Sequence, residues 1–260
     1  MNVASDRRAP RTAVISGGAG GLGTALSQHL QRLGWRVVVL DRDLRGLQRS
    51  DMQIPITCDL TDAAALADVC AQVVAESPSI DLVIYNAGLT SVCAVPELTD
   101  TAHRHLFEVN YFAATAMAQA FLAPLRASQG THLAVTSVAG FAPLRQRAAY
   151  AASKHAMTGF FGSLRAEEAP HGVDVCIAAP SFVATNPDGK ADHQGLSPPG
   201  AAKDAIDAMS AEQAAAVILR GFECKRAFIP VGRVAKLSSM VMRLSPAFYQ
   251  WLMARVVSAS

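Results

Sequence analysis

An excess of charge of either sign is missing from this chain. Lys and Arg number 23 against 21 Asp and Glu, which leaves a net charge of only +2 over 260 residues. So close a balance gives no long-range field to draw in a polyanion, and no nucleic-acid partner is expected. Cysteine is sparse as well. The five present (Cys58, Cys70, Cys93, Cys176, Cys224) are odd in number and form no C-x-x-C. That excludes a disulfide framework or cysteine zinc site as the organising feature, so reduced thiols and no bound metal are expected. The charged N-terminus has no apolar stretch behind it, so no secretory signal is expected and the expected location is cytoplasmic. Nor is there an apolar run fit to span a membrane, because Arg243, Pro246 and Arg255 interrupt the apolar C-terminal tail. Internal repeats and low-complexity blocks are missing too. What is there is an ordinary globular composition, 51% apolar, long enough for one large α/β domain or two small ones.

Residues 11–16 form a short apolar run closing on glycines, after which Leu22, Ala25, Leu26, Leu30 and Leu33 recur at helical spacing. Gly34 stops that helix, and the β-branched run 36–41 completes a βαβ unit of about 30 residues. Further strands are expected at 54–59, 81–85, 132–137, 174–180 and 227–232. Helices are expected at 62–76, 99–126 with a break near Asn110, 150–169, and 210–223, the last opened by a Ser210–Gln213 capping box. The alternation predicts an α/β fold: a Rossmann-like doubly wound parallel sheet of about seven strands with helices on both faces, one domain over 1–260. Around it are expected an N-terminal tail at 1–10, a substrate loop at 186–209 rich in Pro, Gly, Ala and charge, and a C-terminal helical extension at 233–260. The extension carries Leu237, Met240, Leu244, Phe248, Trp251 and Leu252, with Ser245-Pro246 starting a last helix. Its apolar face can pack on the body, seal a pocket or make peripheral membrane contact, packing being the ordinary outcome.

The glycine-dense stretch 17–23 stands after the first strand and opens the first helix. Glycines there let the backbone approach a dinucleotide's pyrophosphate, and the helix N-terminus offers unpaired N–H groups and a positive dipole end. Asp41 ends the second strand about 20 residues on, where a carboxylate can accept from the adenosine ribose hydroxyls. A 2′-phosphate would meet like charge at Asp41, which favours NAD as cofactor over NADP. The neighbouring Arg42 would receive that phosphate if it turned inward.

Tyr150 and Lys154 are four residues apart on an expected helix, hence on one face. A positive charge beside a phenol lowers its pKa and readies it to exchange protons with an alcohol or ketone. The pair alone is weak: four Tyr and five Lys in 260 residues supply a chance Tyr-x-x-x-Lys about 4 × 5/260, or roughly 0.08 times per chain.

The conjunction of motifs is what resembles the classical short-chain dehydrogenase/reductase family, over residues 11–232. Ser16 to Gly23 is similar to that family's Thr-Gly-x-x-x-Gly-x-Gly, with Gly17, Gly21 and Gly23 in place and Leu22 between the last two. Asp59-Leu60 resembles its adenine-contacting pair, Tyr85-Asn86-Ala87-Gly88 its Asn-Asn-Ala-Gly turn, and Asn110 its helix asparagine. Ser137, Tyr150 and Lys154 stand in its catalytic spacing, and Pro180 to Thr185, with Val183, resembles its Pro-Gly segment under the nicotinamide. Ser16 for Thr, Tyr85 for the first Asn and Ser181 for Gly depart from the pattern.

The resemblance implies hydride transfer between a nicotinamide and a secondary alcohol or ketone. In it Ser137 donates to the substrate oxygen, Tyr150 moves the proton, Lys154 lowers the Tyr150 pKa and binds the nicotinamide ribose, and Asn110 holds a water. An NADPH-linked reductase, for instance of 3-oxoacyl thioesters, and a non-catalytic nucleotide sensor on the same fold are the alternatives. Phe141, Leu144, Phe182 and Val183 flank the expected pocket and suggest an apolar substrate. Arg145 and Arg147 either meet a substrate carboxylate or phosphate or, more ordinarily, sit in a solvated loop. Small residues at 113–120, Ala152, Ala156 and Gly159 would let helices pack closely, and the resemblance implies a homodimer or homotetramer built there.

Overall fold

Apolar residues in unbroken runs, not alternating ones, mark strands covered on both faces. In the computed structural model, which describes residues 10–186, 191–192, 195–200 and 208–258, those runs form one seven-stranded sheet. Its strands are β1 (Thr12–Ser16), β2 (Arg36–Asp41), β3 (Gln53–Thr57), β4 (Leu82–Tyr85), β5 (Thr131–Val135), β6 (Asp174–Pro180) and β7 (Phe228–Val231). All pair in parallel, in the spatial order β7-β6-β5-β4-β1-β2-β3. The helices are α1 (Gly21–Arg32), α2 (Ala63–Glu76), α3 (Asp100–Phe107), α4 (Ala113–Ala120), α5 (Leu122–Ser128), α6 (Ala148–Glu168), α7 (Ala211–Glu223), α8 (Arg233–Leu244) and α9 (Pro246–Ser258). The expected tail at 1–10 and loop at 186–209 lie mostly outside the described residues.

The two faces of the sheet bury separate cores. Val14, Val38, Val83 and Ile177 pack with Leu66 of α2, Met117 of α4 and Phe161 of α6. Ile15, Val39, Ile84 and Leu133 pack with Leu26 and Leu30 of α1 and Ile218 and Leu219 of α7. Helix ends follow the sequence signals. Ser210 Oγ accepts from Gln213 N–H at 3.2 Å while Gln213 Oε1 accepts from Ser210 N–H at 3.1 Å, closing the capping box. Asp62 caps α2 by accepting from Ala64 and Ala65 N–H.

Three local features differ from, or sharpen, the expectations. Tyr85 does not serve the turn that follows it. It points into the core, 4.7 Å from the Phe161 ring, and its hydroxyl bonds His132 Nδ1 on β5 at 2.6 Å. Burial pushes the Tyr85 phenol well up and the His132 ring down to about 4, so both are neutral. The break near Asn110 is a π-helical turn, Glu108–Phe112, between α3 and α4, a device that re-aims a side chain within a helix. The tail folds as two helices, and Ala235 and Tyr249 bury against Val138 and Ala142. Phe141 belongs with them: its ring meets Phe228 edge-on at 5.5 Å, so it supports the body instead of flanking the pocket.

Candidate active site

Register decides where the site lies. Ser16 stands opposite both Leu40 of β2 and Tyr85 of β4, so the glycine turn, Asp41 and the Asn86 turn all emerge at one edge of the sheet. That edge is the C-terminal one, at the point where strand order reverses beside β1, the usual crevice of doubly wound folds. The three segments are knitted together. Asn86 Nδ2 donates to Ser16 O at 3.2 Å and Gly17 O at 2.9 Å. Ser16 Oγ accepts from Asn86 N–H at 3.1 Å and Ala87 N–H at 3.3 Å, so serine supplies the hydroxyl as threonine would. One Asp41 oxygen accepts from Ala19 N–H at 3.1 Å, tying β2 to the turn.

A cavity of about 820 Å³ opens along this edge, and of the catalytic and cofactor-binding residues expected from sequence all line it except Asn110. Its glycine-rich end fits a dinucleotide. Gly17 sits at φ +63°, and a Cβ there would lie 2.7 Å from Ala87 Cα; at Gly21 it would lie 2.9 Å from Thr185 Cβ. The backbone is therefore as close as side-chain-free residues permit. Helix α1 has no side-chain cap and no acid in its first turn, which leaves its N–H groups for an anion. Arg42 and Arg45 line the same end beside Asp41. The Asp59 carboxyl is held below its usual range by the Thr61 N–H and hydroxyl. The segment after β6 passes over the turn through Thr185, whose hydroxyl donates to Pro199 O at 2.7 Å. Among the described non-glycine residues, positive φ falls on Arg45, Gln129, Gln146 and Lys225, so Ser181 fits its position without strain.

At the other end the Tyr150 hydroxyl hydrogen-bonds the Ser137 side chain. Ser137 Oγ also accepts from Ala139 N–H at 3.1 Å. Burial pushes the Tyr150 phenol up, against the Ser137 bond and the Arg147 charge, which pull it down. The Lys154 ammonium donates to Val135 O at 3.0 Å and touches Met157 Sδ at 3.6 Å. Burial draws its own pKa down to about 8. Asn110 is fully buried. Its Oδ1 accepts from Leu89 N–H at 2.7 Å, and its Nδ2 donates to Leu89 O and Ser153 Oγ, both at 2.9 Å. It joins the Leu89 backbone to Ser153, the residue before Lys154, and does not line the cavity.

Sequence reasoning left Arg147 between a substrate contact and a solvated loop, and it missed the wall residues of the C-terminal helices. Arg147, at the N-cap of α6, lines the cavity and donates to Thr90 Oγ1 at 2.7 Å, whereas Arg145 is exposed. Val234 and Ser238 of α8 and Tyr249 and Met253 of α9 also line it, and the Tyr249 hydroxyl bonds Ser238. The four-residue spacing of Tyr249 and Met253 was the available signal. No metal-binding cluster occurs among the described residues.

The family model described as short chain dehydrogenase matches residues 11–195. A Drosophila melanogaster protein, "Dehydrogenase/reductase SDR family protein 7-like", is 30% identical over 264 residues, covering 94% of this chain and 80% of the relative. The Bos taurus "Dehydrogenase/reductase SDR family member 7B" is 31% identical over 188 residues, 66% of this chain, and the match spans only 58% of that relative's length. Among solved structures, a short-chain dehydrogenase from Streptomyces avermitilis shares the fold with a TM-score of 0.82 at 23% identity, covering 97% of this chain and 99% of that one. A Burkholderia cenocepacia short chain dehydrogenase in complex with NADP gives 0.79 at 26% identity, covering 95% and 97%. The motifs, the parallel sheet and these likenesses converge on one assignment: the chain belongs to the short-chain dehydrogenase family.

Proposed function

We propose that the protein is an oxidoreductase transferring a hydride between NAD(H) and an apolar secondary alcohol or ketone, with Ser137, Tyr150, Lys154 and Asn110 as its working residues. The observation that carries this reading is the Ser137–Tyr150 hydroxyl pair, set in the same cavity as the glycine turn. When bound, the nicotinamide supplies or takes the hydride. The turn and the α1 N-terminus would hold its pyrophosphate, Asp41 its adenosine ribose, and Pro180, Val183 and Thr185 its nicotinamide end.

Tyr150 gives its proton to the substrate oxygen in reduction and takes it back in oxidation. Ser137 donates to the same oxygen as charge gathers there. Lys154 contributes its positive charge to this end of the cavity and would bind the nicotinamide ribose. Asn110 acts through others: by fixing Leu89 and Ser153 it positions the Lys154 backbone. Leu144, Phe182, Val138 and Met253 supply an apolar wall, which supports an apolar substrate. A screen of alcohols and ketones with NAD(H) and NADP(H) tests the proposal; turnover confined to small acidic alcohols would overturn the apolar assignment.

NADP(H) is the second reading, that of a ketoreductase. Arg42 and Arg45 beside Asp41 and the NADP in the Burkholderia structure favour it. The ratio of the two cofactor affinities decides between them. Assembly as a homodimer or homotetramer through α4 and α6 is part of the proposal, supported by small exposed residues such as Ala116, Ala152 and Gly159. Mass in solution tests it.

A further inference from the structure

Helices α8 and α9 each have an inner and an outer face. The inner residues Val234, Ser238, Tyr249 and Met253 wall the cavity. The outer ones are large and apolar: Leu237, Met240 and Leu244 on α8, at helical spacing, and Phe248, Trp251 and Leu252 on α9. Leu244 is 83% exposed and Trp251 48%, and the Phe248 and Trp251 rings stack at 5.6 Å. Side chains of this kind, clustered on two consecutive helices, mark a docking surface more often than a bare one.

Charge selects the occupant. The same two helices carry Arg233, Lys236, Arg243 and Arg255 and no Asp or Glu, and all four cations are exposed. Arg255 lies over the Trp251 ring, 4.2 Å from its centroid. A two-fold contact centred here with a second copy would set these cations against themselves, with no carboxylate on either side to answer them. An anionic bilayer surface answers both properties, with headgroups for the cations and an acyl boundary for the Leu, Phe and Trp side chains. No helix among the described residues is long and apolar enough to cross a membrane, so the contact is one of lying on the surface.

We propose that the outer faces of α8 and α9 dock on an anionic lipid surface, bringing the cavity wall built by the same helices against the bilayer. The proposal does not rest on the oxidoreductase reading, because its test needs no turnover.

The test is flotation of the full chain with vesicles of phosphatidylcholine alone or mixed with phosphatidylglycerol, at low and high salt. The expected result is co-flotation with the phosphatidylglycerol vesicles that weakens as salt rises, and little with phosphatidylcholine alone. Each cation near such a surface is worth about fivefold in partitioning, so Arg243→Glu with Arg255→Glu should weaken flotation by at least about 25-fold. Leu244→Glu with Trp251→Glu should abolish it. These side chains are exposed, and an unchanged circular dichroism spectrum verifies folding. The proposal is overturned if the wild type stays unbound in phosphatidylglycerol, or if both variants float as well as it does. It is also overturned if the wild type is a dimer whose mass halves in Leu244→Glu, which would make the patch a self-interface.

Discussion

Lys154→Met should make the protein more stable at neutral pH while disabling it. Lys154 is 2% exposed, and burial lowers its pKa from 10.5 to about 8. At pH 7 the charged form is thus held in the fold at a cost of about 3 kcal/mol relative to the unfolded chain. Methionine has nearly the same length and no charge. It removes that cost but also removes the ammonium's bond to Val135 O, worth about 1.5–3 kcal/mol, so the net gain is about 1 kcal/mol. The pH dependence is the sharper signature. A depressed lysine pKa means that between pH 8 and 10.5 the unfolded chain binds the extra proton, so the lysine's cost fades as pH rises. The wild type should therefore gain about 2 kcal/mol on the variant between pH 7 and pH 9.5. Comparing the two proteins cancels the buried Cys70 and Cys176 thiols, whose raised pKa values of about 12 and about 11 pull stability the other way at high pH. Urea unfolding at several pH values measures the difference. A gap that stays constant across this range would refute the burial argument.

Other perturbations probe the cradle and the clamp. Asp41→Ala should raise the ratio of NADP to NAD affinity by about tenfold, since a like-charge clash is removed; fluorescence titration with both nucleotides reads it, and an unchanged ratio counts against the role given to Asp41. Gly21→Val places side-chain atoms where Thr185 already stands, its Cβ 2.9 Å from Thr185 Cβ, at a cost of about 1–3 kcal/mol. It should weaken dinucleotide binding roughly tenfold. Asn110→Ala strips partners from the buried Leu89 N–H and C=O and should cost about 3 kcal/mol of stability, read as a lower urea midpoint.

The sheet was legible because its signals are local: β-branched runs, Gly34 at φ +79° ending α1, and the Ser210–Gln213 box each act within a few residues. The glycine turn was legible for the same reason, and parallel register then carries Asp41 and Asn86 to it. What sequence could not supply was side-chain direction set by distant neighbours. Tyr85 turns inward because His132, on the adjacent strand, offers a buried acceptor or donor at 2.6 Å. Lys154 turns to the Val135 carbonyl, while Arg147, from a loop that reads as solvated, lines the cavity and bonds Thr90 Oγ1. Tyr249 and Met253 reach the cavity only through the packing of α9 on Val138 and Ala142, a contact between segments more than a hundred residues apart.

The central claim is that the Tyr150 phenol moves the proton. Its most direct measurement compares Tyr150→Phe with the wild type, following the absorbance of the reduced nicotinamide on a substrate from the alcohol and ketone screen and titrating cofactor binding alongside. The account predicts nucleotide affinity within about twofold of wild type and turnover reduced by about 10²–10⁴-fold. Undiminished turnover by Tyr150→Phe would contradict it.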